Sequence, residues 1–243
     1  MTDWTAEFSF PFTGPLEDGR TVTHDVHVAG SGPPILIMQE LPGIGPETLA
    51  LAARLNAAGF TVYLPHLFGT FGKKTMVRNL VRLLCIRREF NVYARGRQSP
   101  VANWLRALVA DISDREGGAR VGAIGMCLTG SFALPLMAED AVAGGVASQP
   151  SLPLRHASPP HMSPDEITAT RAAMDAKGPG LAMRYAGDKI CRPEHVSTLA
   201  EAFGPGLETE AYPGNGHALL TAHFNGDAYQ RMEDYFRTRF GLT

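Results

Sequence analysis

The stretch RVGAIGMCLTG, residues 120–130, decides which fold the 243-residue chain is expected to adopt. Residues 120–127 are mostly apolar, which predicts a buried strand that runs into a sharp turn. A helix is expected from Leu128, and a strand, turn and helix of this kind form a nucleophile elbow, which lifts one reactive side chain above the end of the strand. Gly125 fits this turn because the backbone there leaves little room. Cys127 is therefore the candidate nucleophile.

The motif Gly-x-Cys-x-x-Gly does not establish catalysis by itself. Free cysteines are often small buried apolar residues, and a glycine-rich turn accommodates one easily. If Cys127 is instead reactive, the unpaired N–H groups at the start of the following helix favour its thiolate. The backbone N–H of Leu128 then faces the oxyanion that develops during acyl transfer. Both interpretations stay open until partners for Cys127 are considered.

Outward from the elbow, apolar segments alternate with segments of helical periodicity. Strands are expected at about 35–38, 60–65, 144–150, 180–188 and 208–213, an antiparallel edge strand at 24–28, and helices at 46–58, 100–113, 193–203 and 226–238. This alternation is typical of βαβ units. The expected fold class is α/β, with a mostly parallel central sheet and helices on both faces. Together with the nucleophile elbow, this architecture predicts an α/β-hydrolase fold. No break in composition divides residues 1–243, so a single domain is expected.

The composition is that of an ordinary soluble globular protein, with 44% apolar and 19% charged residues. The formal net charge of −2 gives no indication of a nucleic-acid partner. No apolar run reaches the roughly 18 residues of a membrane span, and MTDWTAEFSF lacks the basic start and apolar core of a secretory signal. A cytoplasmic location, no membrane partner and a monomer or homodimer are expected.

The three cysteines, Cys85, Cys127 and Cys191, are scattered and odd in number, which argues against a disulfide framework or a metal clip. A reducing compartment, in which a thiol stays free to react, fits this pattern best. The histidines show no H-E-x-x-H spacing, and the chain has neither a Walker motif nor G-x-G-x-x-G. We therefore expect no metal and no cofactor.

Two residues downstream of Cys127 stand where an α/β hydrolase places its acid and its histidine, in that order along the chain. Asp188 ends the expected strand 180–188, and His217 lies in the turn GNGHALL after the expected strand 208–213. Carboxyl ends of parallel strands meet at one edge of a sheet, so both side chains are expected beside Cys127. His217 can take the thiol proton, and Asp188 can fix its tautomer and stabilise the imidazolium.

Each of these partners also has a simpler interpretation. His217 could be a loop histidine on a glycine-rich turn, and Asp188 could be the cap of a helix that begins near Pro193. Asp165 and Asp227 are rival acids. Asp165 lies in an irregular segment, however, and Asp227 follows the histidine, which is the wrong order.

Five segments resemble the dienelactone hydrolase family, and the resemblance runs from about residue 35 to 240. They are MQELPGIGPE (38–47), FTVYLPHLFG (60–69), IGMCLTG (124–130), YAGD (185–188) and YPGNGHALL (212–220). The resemblance implies an α/β-hydrolase sheet with a Cys-Asp-His triad, which falls on Cys127, Asp188 and His217. It also implies a small ester or lactone as the substrate.

The resemblance further implies a role for the residues that follow the strand at 35–38. A family glutamate at this position contacts the resting thiol and helps to activate it, and Glu40 matches it. The oxyanion hole is then formed by the backbone N–H groups of Leu41 and Leu128. Independently of the resemblance, a carboxylate at the end of a buried strand is costly unless it has a partner. Glu40 could otherwise be a surface loop residue or a charge at a helix entry.

The sequence departs from the family pattern at two positions. Thr129 replaces the first of two glycines that usually follow Cys-Leu, and a β-branched residue at a crowded turn is expected to shift the elbow. The characterised lactonases also carry an arginine shortly after the histidine, where it binds the substrate carboxylate. Residues 218–221 are Ala-Leu-Leu-Thr instead, so the dienelactone itself is not the expected substrate.

A basic insert at about 70–100 is expected to overhang the active edge as a cap. It holds eight of the 22 basic residues, opposed only by Glu89: Lys73, Lys74, Arg78, Arg82, Arg87, Arg88, Arg95 and Arg97. Arginines such as Arg95 and Arg97 could attract an anionic acyl substrate. The alternative is a solvated helix face without a role in binding.

These observations predict a hydrolase that cleaves a small ester or lactone through an acyl group bound to Cys127. Three alternatives stay open. The first is a thioesterase or another acyl hydrolase on the same fold. The second is a class I amidotransferase glutaminase, although Thr129 and Ser131 occupy the Gly and Gln positions of its G-x-C-x-G-x-Q motif. The third is a non-catalytic α/β-hydrolase-fold binding protein.

Overall fold

The computed structural model describes residues 4–41, 43–73, 101–151 and 162–242. Their eight strands are β1 (Phe8–Pro15), β2 (Thr21–Ala29), β3 (Pro34–Met38), β4 (Thr61–Pro65), β5 (Val121–Met126), β6 (Val142–Ser148), β7 (Gly180–Tyr185) and β8 (Leu207–Tyr212). They form one sheet in the order β1-β2-β4-β3-β5-β6-β7-β8. β2 is antiparallel to β1 and β4, and every other neighbouring pair is parallel. The mostly parallel central sheet is confirmed.

Five helices pack on the sheet in the described part of the chain. They are α1 (Pro46–Ala57), α2 (Val101–Arg115), α3 (Pro164–Lys177), α4 (Pro193–Phe203) and α5 (Gly226–Phe240). One buried apolar cluster contains Leu51 of α1 and Phe236 of α5, and the other contains Trp104 of α2, Met174 of α3 and Leu199 of α4. Helices therefore cover both faces of the sheet, as the sequence predicts.

The antiparallel edge is a hairpin of β1 and β2, of which only the second strand was expected. Phe10 and Phe12 of β1 are partly buried while Ser9, Pro11 and Thr13 are exposed, which is the alternation of a strand with one packed face. β1 pairs with β2 along its whole length. The segment 24–28 is thus covered by β1 and is not itself the edge.

No element was expected at residues 164–177, where α3 forms. Its start carries a reciprocal capping arrangement: the Ser163 hydroxyl accepts the Glu166 N–H at 3.2 Å, and the Glu166 carboxylate accepts the Ser163 N–H at 2.9 Å. Pro164 follows the cap, at a position where its missing N–H costs nothing. The signal Ser-Pro-x-Glu is local and readable in the sequence.

The chain after Cys127 forms two short 3₁₀ segments, Cys127–Ala133 and Pro135–Ala138, in place of the helix expected from Leu128. Pro135 lacks an N–H, and its ring clashes with the preceding turn, so a regular helix cannot run through it. None of the helices in the described ranges combines the length and the apolar character that a membrane span requires. From residue 74 onward, the basic insert expected at about 70–100 lies outside the described residues.

Replacing Ser163 with alanine removes the cap of α3 and is expected to lower the free energy of unfolding by about 1 kcal/mol. The measurement is urea denaturation followed by circular dichroism. Ser197→Ala is the matched control, because Ser197 is exposed inside α4 and caps no helix end. Equal losses in the two variants would contradict a specific capping role.

Candidate active site

Cys127 lies directly after β5 with a backbone φ of +53°. This left-handed conformation is unusual for a residue with a side chain and is typical of a nucleophile elbow. A Cβ on Gly125 would collide with the carbonyl of Thr129, and one on Gly130 would lie 2.6 Å from Cα of Pro150. The two glycines flanking Cys127 are therefore sterically required. Cys127 is buried, with 9% of its surface exposed.

Thr129 was expected to shift the elbow, but its side chain fits inside the turn and bonds to it. The hydroxyl accepts the Met126 N–H at 3.0 Å. It also lies 3.1 Å from the carbonyl oxygen of Met38 and 3.2 Å from that of Gln39, both at the end of β3. One hydroxyl proton can be shared between these acceptors. Thr129 thus ties the elbow to the strand end that precedes Glu40 and Leu41.

Replacing Thr129 with valine keeps the shape of the side chain but leaves the buried Met126 N–H without its acceptor. We expect the free energy of unfolding to fall by about 1–3 kcal/mol, while Thr129→Ser retains the hydroxyl and stays within about 1 kcal/mol of the wild type. Chemical denaturation of the three proteins measures this difference. A valine variant as stable as the serine variant would show that the hydroxyl is unimportant.

Asp188 follows β7, and its carboxylate is bonded on both oxygens. Oδ2 lies 2.7 Å from Nδ1 of His217, and Oδ1 accepts the backbone N–H groups of Ile190 at 2.7 Å and Cys191 at 3.0 Å. Burial alone would raise the pKa of Asp188, but the His217 hydrogen bond and charge and the two N–H donors hold this pKa below its ordinary value. Asp188 is thus an ionised partner for the imidazole. It does not cap α4, which begins at Pro193 after a different residue.

Nδ1 of His217 is hydrogen-bonded to Asp188, and the ring also interacts with Cys127. Burial lowers the pKa of His217, but the hydrogen bond to Asp188 and the interactions with Cys127 outweigh this and raise the pKa to about 10. Nε2 is buried and makes no well-aligned hydrogen bond within the described residues. The ring is therefore positioned to hold a proton between the carboxylate and the sulfur.

The loop that carries His217 is held by a second histidine that sequence reasoning assigned no role. Nδ1 of His223 accepts the backbone N–H of His217 at 3.3 Å and that of Ala218 at 3.2 Å. The Tyr185 hydroxyl donates to the His223 carbonyl at 2.5 Å. His223 thus fixes the backbone of the loop and leaves the His217 ring to face Asp188. The contacts of His223 with residues 217 and 218 lie within one loop, and the Tyr185 contact spans 38 positions along the chain.

Glu40 is buried, with 3% of its surface exposed, so the interpretation as a surface loop residue is wrong. The Thr221 hydroxyl donates to its carboxylate at 2.6 Å. Thr221 belongs to the stretch 218–221, in which the expected arginine is missing. The contact between Glu40 and the thiol stays a prediction. So do the oxyanion roles of the Leu41 and Leu128 N–H groups, although both residues are buried beside the elbow.

Two further buried polar side chains shape this edge of the sheet. Gln39 donates to the Phe68 carbonyl at 2.9 Å and accepts the Leu67 N–H at 3.0 Å, which ties the chain after β4 to the end of β3. Arg184 donates to the carbonyls of Tyr185 at 2.8 Å and Cys191 at 3.0 Å, on either side of Asp188. Both side chains bond to backbone groups of the neighbouring loops, and the sequence predicted this role for neither of them.

Neither of the two rival acids is the partner of His217. Asp165 and Asp227 lie in the first turns of α3 and α5, and it is Asp188 that bonds to His217. Arg95 and Arg97 lie outside the described residues. Within residues 4–41, 43–73, 101–151 and 162–242, no group of three or more His, Cys, Asp or Glu side chains is arranged to hold a metal ion.

Cys191 differs from Cys127 in its surroundings. Its side chain is fully buried, and its thiol donates to the Pro150 carbonyl at 3.2 Å. Burial, reinforced by the charge of Asp188, raises the pKa of the Cys191 thiol. Of the two cysteines in the described residues, only Cys127 stands beside a histidine that can accept its proton.

A cysteine at a strained turn after a central parallel strand, followed by an aspartate and a histidine at later strand ends, defines the α/β-hydrolase class. Solved structures similar to this chain belong to the same class. The model of the dienelactone hydrolase family matches residues 20–239. The protein belongs to the dienelactone hydrolase family and is a hydrolase.

Three similar proteins illustrate this relationship. A Methylorubrum extorquens protein named "Putative carboxymethylenebutenolidase" is 24% identical, over 92% of this chain and 78% of its own length. The crystal structure of a Klebsiella pneumoniae protein named "Putative Dienelactone Hydrolase" is 16% identical, with a TM-score of 0.63 over 98% of this chain and 100% of its own. The serine hydrolase XC6422 of Xanthomonas campestris is 14% identical, with a TM-score of 0.56 over 98% and 96% of the two chains.

The pKa of His217 gives a direct test of the site. Cys127→Ser removes the sulfur's contribution and is expected to lower the pKa of His217 from about 10, because burial then opposes the imidazolium with less compensation. Histidine-ring ¹⁵N NMR between pH 5 and 11 measures the change. His195, on α4, is the internal control. An unchanged His217 titration would show that the sulfur does not interact with the ring.

Proposed function

We propose that this hydrolase cleaves small carboxylic esters or lactones through a thioester on Cys127. The observation that carries the proposal is the arrangement of Cys127 at φ +53° beside the pair of His217 and Asp188. Membership of the dienelactone hydrolase family supports ester or lactone hydrolysis as the reaction class.

In the first half of the reaction, the Cys127 sulfur attacks the carbonyl carbon while its proton is held by His217. The oxyanion that forms accepts the backbone N–H groups of Leu41 and Leu128. The tetrahedral intermediate collapses, the C–O bond breaks, and the alkoxide leaves as an alcohol with the proton from His217. The acyl group remains on sulfur as a thioester. For a lactone, the alcohol stays attached to the acyl group.

In the second half, His217 removes a proton from a water molecule, which attacks the thioester carbonyl. Collapse of this intermediate breaks the C–S bond and releases the carboxylic acid, and the thiolate is re-formed beside the imidazolium. Asp188 keeps the His217 tautomer fixed in both halves and stabilises the positive ring. Where Cys127 is present as a thiol rather than as a thiolate, Glu40, held by Thr221, assists by attracting the thiol proton.

The choice of nucleophile does not follow from the fold, because the similar structures include a serine hydrolase. Two features of this chain support sulfur. The residue at the elbow is cysteine, and its hydrogen bond and charge are among the causes that raise the pKa of His217. A neutral hydroxyl at the same position would stabilise the imidazolium far less.

The substrate class is drawn from the residues around the elbow. Residues 218–221, the stretch in which the lactonases carry an arginine, contain none, which argues against the dienelactone itself. Arg95 and Arg97 are proposed to attract an anionic acyl group, so carboxylate-bearing esters belong in any substrate panel. Thioesters also belong there, since an acyl-cysteine enzyme can be loaded from sulfur or from oxygen leaving groups.

Replacing Cys127 with alanine, or His217 with alanine, is expected to reduce kcat/KM for p-nitrophenyl acetate, a simple lactone and a thioester by at least about 10³-fold. Mass spectrometry of acid-quenched wild-type enzyme should show one acetyl group on Cys127 that hydroxylamine removes. Cys191→Ser is the matched control and should stay active, because its hydroxyl can still donate to Pro150. Full activity without Cys127 would overturn the mechanism, and an inert wild type would favour a binding protein.

A further inference from the structure

Ser151 touches Cys127 at two points. Its backbone N–H donates to the Cys127 carbonyl at 3.1 Å, and its hydroxyl donates to the Cys127 sulfur at 3.6 Å, within hydrogen-bond range for sulfur. Ser151 is 5% exposed, and its hydroxyl has no second partner in the described part of the chain. The hydroxyl is therefore available to the one atom on which the proposed chemistry takes place.

The position of Ser151 is fixed by the backbone before it. Gln149 has a φ of +38°, and its N–H donates to the Met183 carbonyl at 2.7 Å, so the chain turns sharply at the end of β6. Pro150 then packs against Gly130 of the elbow and accepts the Cys191 thiol. The bonds of Gln149 and Pro150 fix this turn, and the turn places the Ser151 hydroxyl beside the Cys127 sulfur.

We propose that Ser151 is a further catalytic residue, whose hydroxyl stabilises the Cys127 thiolate by donating a hydrogen bond to it. A donor to the charged form of a titrating group favours that form. His217 holds the proton on one side of the sulfur, and Ser151 supplies a neutral donor on another. This role rests on the proposed function, in which the thiolate attacks the substrate.

The hydrogen bond acts on both halves of the reaction. It raises the fraction of enzyme in which the sulfur is ionised and ready to attack. It also makes the thiolate a better leaving group when the second tetrahedral intermediate collapses, because the charge that returns to sulfur meets a donor already in place. Ser151 therefore affects turnover more than substrate affinity.

The test compares Ser151→Ala with Ser151→Thr, which keeps a hydroxyl. Alanine leaves the backbone N–H in place and removes only the side-chain donor. The rate of Cys127 alkylation by iodoacetamide, and the thiolate absorbance at 240 nm, are followed from pH 4 to 9, with Cys127→Ala as the blank. In Ser151→Ala, the midpoint of both profiles is expected to rise by roughly one pH unit. Ser151→Thr should return it towards the wild-type value.

Steady-state kinetics with p-nitrophenyl acetate complete the test. Ser151→Ala should lower kcat about tenfold with KM nearly unchanged. If wild-type enzyme turns over but the alkylation midpoint of Ser151→Ala is unchanged, the role of Ser151 is overturned. If the midpoint shifts but wild type hydrolyses no ester, lactone or thioester, the hydrogen bond stands and the proposed function fails. Should Ser151→Ala not fold, Ser151→Gly is measured against the same expectations.

Discussion

The left-handed backbone of Cys127 is the constraint on which the rest of this site depends. A non-glycine residue in this region costs of order 1–3 kcal/mol and persists only where its surroundings impose it. Here β5 is locked in parallel register between β3 and β6, Gly125 and Gly130 allow the close approach of neighbouring backbone, and the Thr129 hydroxyl bonds within the turn. In this conformation the sulfur lies beside His217 and Ser151.

The loops around the elbow are held by hydrogen bonds to their backbone as well as by packing, since Leu219 and Leu220 of the His217 loop are fully buried. Arg184 binds carbonyls on either side of Asp188, His223 binds the N–H groups of the His217 loop, and Gln39 binds the chain after β4. Each of these side chains uses its hydrogen bonds to fix the conformation of a loop. Asp188 and His217 interact with each other instead, and this interaction lowers the pKa of Asp188 and raises that of His217.

Sequence reasoning reached Cys127, Asp188 and His217 because strand ends, chain order and glycine spacing are local signals. It did not reach β1 or α3, although Ser-Pro-x-Glu marks the start of α3. Thr129 was interpreted as a disturbance because its bonds to Met38 and Gln39 exist only once two strands are adjacent. The contact between the Ser151 hydroxyl and the Cys127 sulfur depends on the turn at Gln149, which no local sequence pattern predicts. A sequence motif can identify the candidate residues of a site, but the tertiary hydrogen bonds around them can be described only from the structure.

The bond between Thr221 and Glu40 joins residues 181 positions apart. A ribosome adds roughly 5–20 residues per second, so a nascent chain waits on the order of ten seconds or more between making the carboxylate and making its partner. During that interval, the strand end that bears Glu40 is exposed to solvent and to chaperones. The hydrogen bond can then form only after most of the polypeptide has been made, and translation products that end before Thr221 carry Glu40 without this partner.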